Sequence, residues 1–176
     1  YWYLYKMNQE NSDMNYFVEG IQGSAKSTMV QKLSDLNPGY SAVREGEYSP
    51  VVLSWCAYVD NDQYHRILEK YPDLHLQIEE KTCSEGCKRV VCYTKVITEN
   101  RNFYQDLEQY EIYNNRVPFD TFQSILLGRY RKWGTDRMIF ECSLFQNIVE
   151  DMILYRQARD EDILSFYKQI REVLKG

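Results

Sequence analysis

At 176 residues, with 44% hydrophobic and 27% charged side chains, the chain has the length and composition of one globular domain with a good core. A net charge of -5 and a pI near 5.2 argue against the broad basic face by which proteins grip nucleic acid, whereas a small anionic ligand needs only local cations. Five cysteines, an odd number, and an opening Tyr1-Trp2-Tyr3-Leu4-Tyr5-Lys6 too short and too polar for a signal or a membrane span suggest reduced thiols and a cytoplasmic protein.

Residues 1–13 read as an N-terminal extension, flexible or tag-derived, ahead of one domain over 14–176. Tyr16, Phe17 and Val18 form a short buried strand, and Met29, Leu33 and Leu36 recur at helical spacing until Pro38-Gly39 stops the helix. Ser41 to Glu45 reads as a second strand. Ser49-Pro50 is a helix start that turns Val51, Trp55 and Tyr58 inward. Helices follow over 62–71 and 73–81, divided by Pro72, and the β-branched run 89–97 reads as a strand. Cys83, Cys87 and Cys92 invite comparison with a zinc site, but no fourth ligand has suitable spacing. A helix from Asp120 to Gly134, a buried strand over 137–141, and helices over 144–155 and 161–175 complete the chain. Strands alternating with helices imply an α/β fold, a doubly wound parallel sheet with ligands at the carboxyl ends of its strands.

Three stretches fall at those strand ends. Gly20-Ile21-Gln22-Gly23-Ser24-Ala25-Lys26-Ser27-Thr28 nearly matches the phosphate-loop pattern G-x-x-x-x-G-K-[ST], departing at Ala25. Its backbone amides and the helix N-terminus behind them can converge on a polyphosphate, with Lys26 against the β- and γ-phosphates and Ser27 toward a bridging magnesium. Where the φ of Ala25 is positive, its methyl costs about 1–2 kcal/mol. Glu141, ending a buried strand, is placed to hold the metal or polarise an acceptor hydroxyl. Around Arg44-Glu45-Gly46-Glu47, the arginine can hold an acceptor's phosphate and either acid can accept a proton. Cys142 reads as a small buried hydrophobe.

These residues resemble the P-loop kinases of nucleosides and nucleotides, the thymidylate kinase-like and deoxyribonucleoside kinase groups. Phe17-Val18-Glu19-Gly20 through Ser27-Thr28 is similar to their F-I-E-G-x-x-G-x-G-K-S-T opening. Arg44-Glu45-Gly46 resembles the R-E-P loop, and Pro50-Val51 with Trp55-Cys56 resembles the E-P-V-x-x-W segment, whose acid falls here on Glu47 or Glu45. Glu141-Cys142-Ser143 is similar to E-R-S, with Cys142 in place of the arginine. The resemblance implies a three-layer doubly wound sheet of the P-loop NTPase type, either cut short before the lid or having dispensed with it. It implies ATP or another NTP with magnesium, a nucleoside, nucleotide or similar small acceptor bound near Arg44, Glu45 and Trp55, and no nucleic-acid or membrane partner. The expected function is phosphate transfer; the alternative is a nucleotide-binding or regulatory protein with little turnover. The aromatic faces of the last helices could pack a second copy of the chain.

Overall fold

The computed structural model describes residues 14–174 and, for Tyr3–Met7, the backbone. In chain order the elements are β1 (Tyr3–Met7), β2 (Asn15–Glu19), α1 (Lys26–Leu36), β3 (Ser41–Val43), β4 (Ala57–Asp60), α2 (Asn61–Lys70) and α3 (His75–Glu80). They continue with β5 (Thr82–Glu85), β6 (Lys88–Val91), α4 (Arg101–Glu108), α5 (Phe119–Lys132), β7 (Met138–Glu141), α6 (Gln146–Glu150) and α7 (Asp160–Val173). The fold is α/β. The chain divides into two compact units, one of Tyr1–Glu45, Pro50–Val52 and Phe119–Gly176, the other of Gly46–Ser49 and Leu53–Pro118. Of the extension expected over 1–13, all but Tyr3–Met7 lies outside the described residues, as does the helix end expected at Lys175.

The first unit is built on a sheet of order β1-β2-β7-β3, in which β2, β7 and β3 are parallel and β1 runs antiparallel along the edge of β2. Alternation along the strands divides its side chains between two faces. Val18 and Ile139 pack with Val30 of α1, flanked by half-buried Tyr16, Met29, Leu33 and Ala42. Phe17 and Phe140 point the other way, stacked with centroids 5.0 Å apart, and Trp133 meets both edge-on. The register pairs Phe17 with Phe140 and Val18 with Glu141, so the carboxyl ends of β2 and β7 lie side by side. After α6 the chain continues as a π-helical turn, Asp151–Tyr155. There the Asp151 carboxylate meets Arg156 Nε at 2.5 Å, and the guanidinium lies over the Phe122 ring.

The second unit holds an antiparallel sheet of order β4-β6-β5. Ala57, Val59 and Val91 from this sheet pack with Tyr64, Ile67, Leu68 and Tyr71 from and just after α2, Ile78 of α3, and Phe103 and Leu107 of α4. Asp60 caps α2 reciprocally with Gln63: its carboxylate accepts the Gln63 N–H, and the Gln63 side chain accepts the Asp60 N–H.

This second sheet corrects the expectation of a single parallel sheet, and the helix expected from Ser49-Pro50 is absent. Val51, Val52 and Leu53 are consecutive and all buried, which no one-sided helix allows, and Trp55 stands at φ 59. Trp55 is consequently 49% exposed, not turned inward. The strand expected over 89–97 ends at Val91, where a 3-10 turn at Tyr93–Lys95 takes over. Among the described residues no helix is long and apolar enough to cross a membrane.

Candidate functional site

Between Glu19, the last residue of β2, and Lys26, the first of α1, the chain turns through two left-handed residues, Gly23 at φ +78 and Ala25 at φ 59, ψ 32. The Ser24 N–H donates to the Ile21 carbonyl at 3.2 Å, closing the turn. Helix α1 begins without a side-chain cap, so the amides of its first turn have no acceptor within the helix and present its positive end to the loop. Lys26 is buried, and its ammonium folds back to donate to the Ile21 carbonyl at 3.0 Å. Ser24 Oγ is buried without a hydrogen-bond partner among the described residues.

Parallel pairing of β2 with β7 carries Glu141 to this loop. The Ser27 hydroxyl donates to Glu141 Oε1 at 2.6 Å, and Glu141 is 6% exposed. Beyond the strands, the Cys142 N–H donates to the Val18 carbonyl at 3.1 Å and extends the ladder by one bond. From the end of β3, Arg44 lies over α1, its guanidinium donating to Gln31 Oε1 at 2.6 Å and to the Ser27 carbonyl at 3.4 Å. Asn147 Nδ2 donates both to Glu45 Oε1 at 3.1 Å and to the Cys142 carbonyl at 2.9 Å, tying the acid after β3 to the loop after β7.

Cys142 sits among these charges at φ 55. Burial pushes its thiol well above the ordinary range, the carboxylates of Glu45, Glu19 and Glu141 push the same way, and Lys26 pulls against them. The thiol is therefore a neutral small group, and it donates to Gln146 Oε1 at 3.2 Å. Glu19 is buried too: its carboxylate accepts the N–H groups of Leu144, Phe145 and Gln146 at 2.7, 3.1 and 3.0 Å. Burial raises its pKa, and those backbone donors oppose the rise.

The first unit thus brings together the loop 20–28, Lys26, Ser27, Arg44, Glu45 and Glu141. Glu47 and Trp55 belong to the second unit, where the Glu47 carbonyl faces Cys56 Sγ and the Trp55 carbonyl accepts from Thr94 Oγ1. Glu19, Ser24 as an unpartnered hydroxyl, and Asn147 join the site without having been singled out for these contacts. A carboxylate at a strand end was a visible signal for Glu19; nothing in the sequence marks Asn147. Among the described residues no group of three or more His, Cys, Asp and Glu is placed to hold a metal. Ser27 and Glu141 offer one hydroxyl and one carboxylate, a donor set that suits magnesium, whose remaining ligands are phosphate oxygens and water. Beside the loop a pocket of about 440 Å³ is lined by Glu19, Gly20, Ile21, Phe145, Gln146 and Val149 among others.

Comparison with protein-family models, with curated proteins and with solved structures finds no match.

Proposed function

We propose that this chain is an ATP- and magnesium-dependent phosphotransferase of the P-loop type, acting on a nucleoside, nucleotide or similarly sized acceptor, with its first unit as a version of the three-layer doubly wound fold. The observation that carries the reading is the 2.6 Å hydrogen bond between Ser27 and Glu141, which joins the loop's hydroxyl to the strand-end acid. Support comes from the left-handed turn before an uncapped helix and from the buried lysine folded onto it.

In this reading the amides of residues 23–27 bind the polyphosphate and fix its orientation. Lys26 exchanges the Ile21 carbonyl for phosphate oxygens. A magnesium ion held there would supply positive charge to offset that of the phosphates. Ser27 and Glu141 hold it, Arg44 binds the acceptor's anionic group, and Glu45, steadied by Asn147, takes the proton of the attacking hydroxyl. Five cysteines outside any disulfide among the described residues suit a reducing compartment, and we place the protein in the cytoplasm on that basis.

A second reading, nucleotide binding without turnover, draws on Cys142, since a buried neutral thiol brings no cation to the acceptor side. Calorimetric titration with ATP and magnesium, followed by phosphate transfer to a nucleoside and nucleotide panel, separates the two. Binding lost in Lys26→Ala, with transfer to some acceptor, supports the first. Binding without transfer supports the second, and no heat with wild type removes both.

A further inference from the structure

The second unit brings two buried thiols together just past the paired ends of β4 and β6, where Ala57 pairs with Val91 and Cys56 and Cys92 are the next residues outward. Cys56 Sγ donates to Cys92 Sγ at 3.7 Å, and the two residues are 1% and 4% exposed. Cys56 Sγ also lies 3.5, 3.8 and 3.9 Å from the carbonyls of Ser54, Glu47 and Gly46. We infer that Cys56 and Cys92 are a redox pair which hydrogen peroxide converts to a reversible disulfide, pinning the segment that carries Glu47 and Trp55 to β6.

The roles of the two sulfurs follow from their surroundings. The Cys56 hydrogen bond lowers the pKa of Cys92 below the ordinary thiol value, with Lys95 and Lys81 helping, against burial and the Glu47 carboxylate. We assign the attack to Cys92, the sulfur that accepts the hydrogen bond from Cys56. It bonds to one peroxide oxygen as the O–O bond breaks and hydroxide leaves, giving a sulfenic acid. The Cys56 sulfur, giving up its proton, then attacks the Cys92 sulfur; the S–S bond forms as the S–O bond breaks, and water leaves. The two sulfurs together lose two electrons, and one peroxide becomes two waters. Burial selects a small oxidant over a bulky one such as glutathione disulfide. Nothing in this depends on the phosphate-binding reading.

The test is peptide mapping of the full chain, reduced, desalted, exposed to hydrogen peroxide and alkylated under denaturing conditions. Expected are a loss of two hydrogen masses and one cross-linked peptide joining Cys56 to Cys92, restored to thiols by dithiothreitol. The link should persist in a Cys83→Ser, Cys87→Ser double variant, which removes the half-buried and exposed competitors of the β5–β6 hairpin. Cys92→Ser should leave Cys56 fully alkylatable. A Cys83–Cys87 link in place of the expected one, sulfinic acid on Cys92 without pairing, or both thiols still alkylated after peroxide would overturn the inference. The wild-type map decides the matter even if a buried serine unfolds a variant.

Discussion

Ser27 donates its hydroxyl hydrogen bond to Glu141 at 2.6 Å, across 114 residues of chain. The contact depends on β2 and β7 being parallel neighbours with Val18 beside Glu141, because that register puts the end of one strand against the first turn of the helix that follows the other. A hydroxyl and a carboxylate so joined share one small space, and a cation entering it would meet both.

That geometry predicts coupled losses. Glu141→Gln keeps the size of the side chain and removes its charge, so magnesium-dependent ATP affinity should fall on the order of 10–100-fold. Ser27→Ala should fall in the same direction, and the double variant should lose less than the sum of the single losses. Titrations with and without magnesium measure this. Fully additive losses would mean that the two side chains act separately.

Ala25 offers a test in the opposite direction. Its φ of 59 is in the left-handed region, where a Cβ crowds the following carbonyl by about 1–2 kcal/mol. Glycine relieves that strain and gives back part of the gain as extra freedom of the unfolded chain. Ala25→Gly should therefore stabilise the protein by roughly 0.5–1 kcal/mol in urea denaturation. ATP affinity should rise as well if the methyl crowds the phosphates, and stay level if it does not.

The strand, loop and helix around residues 16–36 were legible because each carries a local signal: an apolar run, glycines and helical spacing. The same holds for β7, whose apolar run ends in an acid. The second unit was harder to read. Cys83 and Cys87 lie in and beside β5, in a stretch where the sequence reading places no strand. The Val51-Val52-Leu53 run reads equally well as part of a helix or as buried irregular chain, since periodicity cannot separate short apolar runs. The contact from Asn147 to Glu45 is invisible in sequence because it depends on where α6 starts after β7, a tertiary result with no local trace. Gly46 falls between these cases: the sequence shows a glycine there, and the structure gives the reason, a φ of +77 that favours glycine and that proline cannot adopt.

Gly46→Ala should therefore be costly. A Cβ there would lie 2.7 Å from Thr94 Oγ1 and 3.2 Å from Lys95 Cε, on a backbone already in the left-handed region. We expect a loss on the order of 2 kcal/mol, strain and crowding together. Chemical denaturation reads it directly, and an unchanged midpoint would show that the loop relaxes around the methyl.

Glu111 makes stability depend on pH. It is buried in the second unit, where the Tyr93 hydroxyl donates to its Oε1 at 2.6 Å. Burial raises its pKa from 4.5 to about 7, Glu108 adds to the rise, and the Tyr93 hydrogen bond and Arg116 oppose it. The folded state thus holds the proton more tightly than the unfolded state. The stabilisation from that proton is complete below pH 4.5 and is lost as the pH climbs to about 7. Glu111→Gln mimics the protonated carboxyl at every pH, so it should stabilise the protein by on the order of 1–3 kcal/mol above neutrality and by little under acid conditions. Paired denaturation curves for wild type and variant, run on either side of the window, give the sign. A variant less stable than wild type at alkaline pH would mean that the ionised carboxylate, held by Tyr93, is the form the fold requires.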